Sequence, residues 1–333
     1  MKALIYQNAN TLDDFAIKLA EVTDPTMNDN DLLIRVKSFS VNPGDTKIRR
    51  AVSAPEDGHI ILGWEFSGIV IKTGKKTKGF TVGDEVYGVG DVSRDGNYAE
   101  LVSVDYRVVA HKPASLQFYE AAAVPLTSLT ALGAILDENF QPYPNVSSIL
   151  IIGGSGGTGS IAIQYLKAQT NLKIIATAYG KESEEWVKSM GADFVVDHFG
   201  DVKQQLQDIG FHQVDQIFST SHTAEHMHWI LKVLSPYGHL SLIESPEALS
   251  QITPNTFAFS IHWQMIFTRI LKEYHPELQS KFLNQLSSLI DSGKIKTTAK
   301  TRLIGLSEET IKHAHTLIES GKSIGKIVID DIE

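Results

Sequence analysis

The sequence contains no cysteine. That absence removes disulfides, thiol nucleophiles and every zinc site built on thiolate ligands. It fits a reducing compartment, and the expected location is the cytoplasm. Positive charge is also scarce: 30 Lys and Arg stand against 39 Asp and Glu, a formal net charge of -9. A nucleic-acid groove needs a basic stripe, so no nucleic-acid partner is expected. No apolar run approaches the length of a membrane span, so no membrane partner is expected either. The N-terminus, Met1-Lys2-Ala3-Leu4-Ile5-Tyr6-Gln7, turns polar at Asn8 and Asn10 and reads as a first strand, not a secretory signal. Internal repeats and low-complexity tracts are missing too. What is left is an ordinary globular composition, 42% hydrophobic and 21% charged, over 333 residues. That length exceeds the usual size of one core, so two domains are expected.

The most informative stretch runs from Ser148 to Ala162. An apolar, β-branched run, Ile149-Leu150-Ile151-Ile152, stops in a glycine-rich turn, and a helix-period pattern follows at once. Gly154, Gly156 and Gly159 fit G-x-G-x-x-G. The first makes the tight turn, the second admits a pyrophosphate to the backbone, and the third lets helix and strand pack closely. Phosphates then sit on the unpaired N–H groups of a helix beginning near Thr158, with Gly157 beside it.

Before this turn, from Met1 to about Val109, short strands alternate with Gly-rich turns, the pattern of a partly open β-barrel. Phe118 to Leu136 is Ala- and Leu-rich at helical spacing, with Pro125 expected to kink or divide the helix. After the turn, strands and helices alternate: Lys173–Ala178, Phe194–Asp197, Val214–Phe218 and His239–Ile243 read as strands. This predicts right-handed crossovers and a doubly wound parallel sheet, so the fold class is α/β. Two helices follow, roughly Pro276–Ser292 and Ser307–Ser320. The closing segment Gly325-Lys326-Ile327-Val328-Ile329 is a strand with no place in a completed parallel sheet. It is expected to return to the N-terminal domain, which becomes discontinuous.

The end of the second strand selects the cofactor. An acidic residue there binds the ribose hydroxyls of NAD, whereas its absence beside a basic residue admits the 2′-phosphate of NADP. Here the strand ends Thr177-Ala178-Tyr179-Gly180-Lys181, with nothing acidic before Glu182. NADP is therefore expected, with Lys181 on the phosphate and Tyr179 on the adenine side.

These residues together resemble the medium-chain dehydrogenase/reductases, within them the zinc-independent quinone oxidoreductase branch. The resemblance spans nearly the whole chain and rests on Asn42-Pro43-Gly44-Asp45, Gly63-Trp64-Glu65-Phe66-Ser67-Gly68-Ile69-Val70, Phe80–Gly88 and the Gly153–Gly159 turn. Ser260–Arg269 is similar to a subgroup labelled zinc-type alcohol dehydrogenase-like proteins. The resemblance implies a GroES-like catalytic domain from residues 1–122 and 262–333, and a Rossmann cofactor domain from 123–261. It also implies NADPH, a homodimer, and reduction of quinones or α,β-unsaturated carbonyls (enones). Asn42 and Trp64 stand where zinc alcohol dehydrogenases keep a cysteine and a histidine ligand, and Gly44 where they keep a relay hydroxyl. No metal is expected. Asn42, Trp64 and His262 are the candidate catalytic residues, as amide near the nicotinamide, pocket wall and hydrogen-bond donor. Their plainer alternatives are a turn residue, a core tryptophan and a structural histidine. Thr130 resembles a family position near the cofactor, and His198 is placed to reach the adenosine ribose or phosphate. Asp45 either orients Arg49 or caps the following helix.

Two other readings compete. His222-Thr223-Ala224-Glu225-His226 matches H-x-x-E-H, which on a helix would put both histidines on one face as in a zinc hydrolase. A protein that binds NADPH without turnover is the second, because a fold does not dictate a function.

Overall fold

The computed structural model describes every residue except 245, 254–256 and 333. The chain divides into two units, one of residues 127–266 and one of residues 1–126 with 267–333.

The first of these units holds a six-stranded, all-parallel sheet. Its strands, in chain order, are Ser148–Ile152, Lys173–Thr177, Phe194–Val196, Val214–Ser219, Leu234–Leu242 and Ser260–Trp263. In space the order is third, second, first, fourth, fifth, sixth. Every residue of Ser148–Ile152 is buried, which is why this strand reads as an unbroken apolar run instead of an alternating one. Helices Gly157–Gln169, Lys181–Met190, Val202–Asp208 and Thr223–Val233 make the crossovers. Gly191, at φ 110°, ends the second of them in the left-handed conformation that a side chain resists. Leu150, Ile152, Ile217, Leu240, Met227 and Ile230 lie in one buried cluster between sheet and helix. The strand order reverses between Ser148–Ile152 and Val214–Ser219. In open α/β sheets, ligands settle beyond the carboxyl ends of the strands at such a point.

The second unit carries a three-stranded antiparallel sheet, Lys18–Glu21, Lys2–Tyr6 and Ile60–Ile61, and a seven-stranded sheet. The latter is organised by the long strand Asp31–Val41, which pairs antiparallel with Glu65–Thr73, with Leu101–Asp105 and with Lys326–Asp330. Two register shifts, at Leu33/Ile34 and Val36/Ser38, interrupt its pairing with Glu65–Thr73. The expected partly open barrel is thus a bulged, largely antiparallel sheet. The closing strand does return to the N-terminal part of the chain: Val328 faces Ser40 and Ile327 faces Val41.

Pro125 divides the alanine-rich stretch into the helices Phe118–Ala121 and Pro125–Ile135. Contrary to the expectation that no such run exists, Phe118–Ile135 is long and apolar enough to cross a membrane, with mean hydropathy 1.3. Some 72% of it is buried inside the protein, the condition of a core helix. Two strands escape the sequence pattern, Ser260–Trp263 and Ala299–Ile304, both short and at sheet edges.

Candidate active site

The glycine turn lies at the carboxyl end of Ser148–Ile152, beside the topological switch. Gly153 takes φ +75°, so the residue that makes the tight turn is Gly153, one position earlier than the expected Gly154. Gly154 instead packs against the second strand, where a Cβ would stand 2.8 Å from the Cβ of Ala176. At Gly159 a Cβ would stand 2.4 Å from the Gly153 carbonyl oxygen and 2.7 Å from Gly154 Cα, so the helix could not approach the strand as it does. Gly156 differs, since its nearest neighbour would be 3.5 Å away. A side chain there would meet only ordinary van der Waals contact, so packing within this unit does not require this glycine. The helix starts at Gly157, one residue before the expected Thr158, with Gly156 as its N-cap. The N–H groups of Gly157, Thr158 and Gly159 therefore have no carbonyl to reach within their own helix. The Thr177 hydroxyl accepts the Gly153 N–H at 3.0 Å and ties the turn to the second strand.

Lys181 is the first residue of its helix and almost fully exposed, 3.9 Å from Glu185 one turn on. Tyr179 is 63% exposed and meets Phe199 edge-on at 4.8 Å, and Phe199 in turn lies against His198 at 4.3 Å. Tyr179 and His198 are thus brought together at the ends of the second and third strands. Burial lowers the affinity of the His198 imidazole for a proton, and His222 adds to that. Thr130 is buried within Pro125–Ile135. His262 lies on the edge strand, stacked on Tyr143. Its Nδ1 meets the Tyr143 hydroxyl at 3.2 Å and its Nε2 meets His239 Nδ1 at 2.9 Å. With both nitrogens engaged, this side chain has none to offer a substrate, which favours the structural alternative.

In the other unit a buried polar cluster gathers at Asn42. Glu65, fully buried in the strand Glu65–Thr73, receives the Leu126 N–H on Oε1 at 2.8 Å. On Oε2 it receives the Ser40 hydroxyl and Asn42 Nδ2 at 3.1 Å, and it forms an ion pair there with the Lys326 ammonium at 3.1 Å. Lys326 also donates to Asn42 Oδ1 at 2.5 Å and to the Val41 carbonyl at 3.2 Å. Trp64, only 4% exposed, packs edge-on to Phe267 and over Gly90, as the core alternative expects. Glu65 and Lys326 were not among the expected site residues. The available signal was a carboxylate and an ammonium inside otherwise apolar strands, where each must find a partner.

Asp45 accepts the Asn42 N–H at 2.8 Å and the Tyr98 hydroxyl at 2.9 Å, so it caps the helix Pro43–Ala51. Arg49 pairs with Glu319 at 2.5 Å, which settles the choice left open for Asp45. Burial pushes the Asp45 carboxyl up to about 7; the Asn42 N–H, Tyr98 and Lys326 oppose this, and Glu65 reinforces it. An unfolded Asp titrates near 4, so between about pH 4 and 7 the folded chain holds more protons than the unfolded one. The stability this group contributes is complete below about pH 4 and is lost as pH rises through 7. Asp45→Asn keeps an acceptor and loses the charge. Its melting temperature relative to the wild type should rise by roughly 5 °C from pH 5 to pH 8; a constant difference would refute the assignment.

The H-x-x-E-H pentapeptide does not lie on one helix face. His222, at φ 54°, precedes the helix Thr223–Val233 as its N-cap, so the pentapeptide is not helical throughout. His226 packs on Trp229 and His198 instead. Among the described residues no group of three His, Cys, Asp or Glu side chains is placed to hold an ion.

Comparison with known proteins bears on both units. Residues 28–114 match the family described as alcohol dehydrogenase GroES-like domain, and residues 190–329 that described as zinc-binding dehydrogenase. A zinc-type alcohol dehydrogenase-like protein of Staphylococcus aureus (strain MRSA252) is 33% identical over 94% of each chain. The chain belongs to this family, within the medium-chain dehydrogenase/reductases. The zinc-type alcohol dehydrogenase-like fold recurs in a crystal structure from Rhizobium etli CFN 42, described as a candidate zinc-dependent alcohol dehydrogenase. That structure has TM-score 0.94 and 38% identity, and covers 100% of this chain and 98% of its own. A 2-methylene-furan-3-one reductase of Solanum lycopersicum is 28% identical, covering 100% of this chain and 79% of its own. Escherichia coli quinone oxidoreductase complexed with NADPH matches at TM-score 0.81 over 99% of this chain, and at 23% identity the likeness is one of fold.

The family name implies zinc, and the residues present do not fit it. The chain has no thiolate to offer. The Trp64 indole nitrogen is a donor only, and the Asn42 oxygen already accepts an ammonium at 2.5 Å. A dication there would face the Lys326 charge.

Proposed function

We propose that this oxidoreductase is an NADPH-dependent, zinc-independent reductase that transfers a hydride to a quinone or an α,β-unsaturated carbonyl. The observation that carries the reading is the cluster at Asn42, where an ammonium and a carboxylate of the protein neutralise each other. Oxidising a simple alcohol calls for a Lewis acid or a positioned general base to form an alkoxide before hydride leaves. A conjugated acceptor delocalises the incoming electron pair by itself and needs only proximity, orientation and a few hydrogen bonds. The name of the tomato relative, a reductase of a methylene ketone, belongs to the same class of acceptor.

The turn Gly153–Gly159 would hold the diphosphate on the N–H groups of Gly157, Thr158 and Gly159. Lys181 would meet the 2′-phosphate, and Tyr179 with His198 would border the adenosine. Bound NADPH supplies the hydride. Asn42 and Trp64 would line the acceptor site, the first as a donor to the acceptor oxygen and the second as an apolar wall.

One spectrophotometric panel tests this. NADPH or NADH is mixed with the protein and an ortho-quinone, a para-quinone, an alkenal or a simple ketone. Consumption of NADPH with a conjugated acceptor is expected, and none of the simple ketone. Lys181→Ala should weaken NADPH about 10- to 100-fold, as for a charge-assisted contact, and leave NADH nearly unchanged. Binding of NADPH without turnover on any acceptor would overturn the reductase reading, and equal losses with both nucleotides would remove Lys181 from the phosphate.

A further inference from the structure

The geometry points to Lys326 as a positioning residue that acts through Asn42. Its ammonium and the Glu65 carboxylate bracket the Asn42 carboxamide, so that the amide can present only an N–H to a ligand.

The accounting is by atoms. A lysine has three donors; two of those of Lys326 go to the Val41 carbonyl and Asn42 Oδ1, and its charge is paired with Glu65 Oε2 at 3.1 Å. Buried at 4% exposure and with its charge paired, it serves the cluster and not a substrate. Glu65 accepts from three groups, the Leu126 N–H, the Ser40 hydroxyl and Asn42 Nδ2, and its charge is paired with Lys326. Asn42 is the member of the cluster with a donor to spare: its Nδ2 carries two hydrogens, and the described residues take one. Turning the amide over would set its NH2 against the ammonium and its oxygen against the carboxylate, two repulsions in place of two attractions. Oxygen and nitrogen are hard to tell apart in most asparagines, but a cation on one side and an anion on the other leave a single orientation. The cost of reversal is high because the site is dry: Asn42, Glu65 and Lys326 are exposed by 4%, 0% and 4%. Lys326 comes from the closing strand, 284 residues from Asn42, and the pairing of Val328 with Ser40 delivers it.

The consequence concerns the acceptor, and here the inference rests on the reductase reading above. When a hydride reaches a quinone or an enone, negative charge gathers on the acceptor's oxygen. A fixed N–H is suited to that charge and a carbonyl oxygen would repel it. The bracket therefore selects acceptors with a hydrogen-bond-accepting oxygen conjugated to the carbon or oxygen that takes the hydride. In this account Lys326 supplies orientation and touches no substrate.

Lys326→Met alone would bury an unpaired carboxylate and could unfold the unit, so the test uses Lys326→Met with Glu65→Gln. The pair is neutral, and its two facing amides are free to flip together. NADPH should bind to K326M/E65Q within twofold of wild type, while kcat for the best acceptor falls about 100-fold, the loss typical of one donor to a developing oxyanion. Asn42→Ala should cost the same factor, and the triple variant no more than either, because one interaction is lost in every case. Lys326→Arg should recover most of the rate. Unchanged kcat in K326M/E65Q, or losses that multiply in the triple variant, would overturn the inference. A second readout needs no turnover. In protein labelled with 15N-asparagine, the Asn42 carboxamide should give one sharp, well-separated proton pair, broadened or doubled in K326M/E65Q. Identical signals in both proteins would overturn the role of Lys326. Wild-type protein that reduces none of the acceptors would overturn the reductase reading alone, leaving the Asn42 resonances to decide on Lys326.

Discussion

Gly159→Ala should lower the melting temperature and abolish NADPH binding together, whereas Gly156→Ala should abolish binding and leave the melting temperature where it was. The two glycines sit three residues apart in one motif, yet the space around them differs. At Gly159 the added methyl would stand 2.4 Å from the Gly153 carbonyl oxygen and 2.7 Å from Gly154 Cα, both backbone atoms of the turn. Neither can rotate away, so the helix Gly157–Gln169 must lift from the strand Ser148–Ile152. Overpacking of this kind costs about 1–3 kcal/mol, and more where backbone must shift. The lift also moves the Gly157 and Thr158 N–H groups away from the phosphate position. At Gly156 the methyl meets nothing nearer than 3.5 Å, and as an N-cap its backbone is extended at φ −70°, which alanine adopts freely. There the methyl projects into the space a diphosphate would occupy. An affinity loss of about 100-fold or more is expected, since a displaced phosphate forfeits several charge-assisted N–H contacts. Fluorescence titration with NADPH and a thermal melt on each variant separate the outcomes. A Gly156→Ala protein that binds NADPH as wild type does would remove the phosphate from this turn.

What was legible in the sequence was local. The unbroken apolar run Ile149–Ile152, the glycines after it and the helix period after those report one continuous stretch of chain, and the structure follows them within a residue. Gly153, not Gly154, makes the turn because the positive φ falls where the strand ends, and two adjacent glycines give a sequence pattern no means of choosing. The closing strand was legible by exclusion: an apolar β-branched segment after a finished parallel sheet needs an antiparallel partner elsewhere. Ala299–Ile304 and Ser260–Trp263 were not legible, because an edge strand of four to six residues alternates polar and apolar positions much as a loop does. His222 stands just outside its helix, and the left-handed backbone that excludes it leaves no trace in the pentapeptide. The cluster at Asn42 was half legible. Asn42 and Trp64 stand in recognisable motifs, whereas the ion pair that disposes them joins residues 65 and 326 through strand register alone.

Arg94→Met should destabilise the larger unit by about 3–5 kcal/mol. Asp31 opens the long central strand and is 1% exposed. Its carboxylate is gripped by both terminal nitrogens of Arg94, at 3.0 and 2.6 Å, by the Asn28 N–H at 2.6 Å and by the Ser103 hydroxyl at 3.1 Å. Burial alone would raise the Asp31 carboxyl, yet Arg94 and the other donors prevail and hold it below the usual range. Without the guanidinium the charge remains in a dry site with two donors, and the strand that three others pair with loses its anchor at the first residue. Methionine preserves much of the stem's packing, so the loss reports the charge and not the volume. The pH dependence supplies an independent sign. In the wild type Asp31 contributes stability that is present above its unfolded value near 4 and is lost as pH falls through its lower folded value; in Arg94→Met that contribution shrinks, so the gap between the two proteins should narrow on acidification. Asp31→Asn with Arg94→Met should be more stable than Arg94→Met alone, because no unpaired charge is left behind. Urea midpoints of the three full-length proteins at pH 7 and pH 4 measure both effects. A double variant weaker than the single one would mean that Arg94 acts through packing, and the electrostatic account of the central strand would have to be given up.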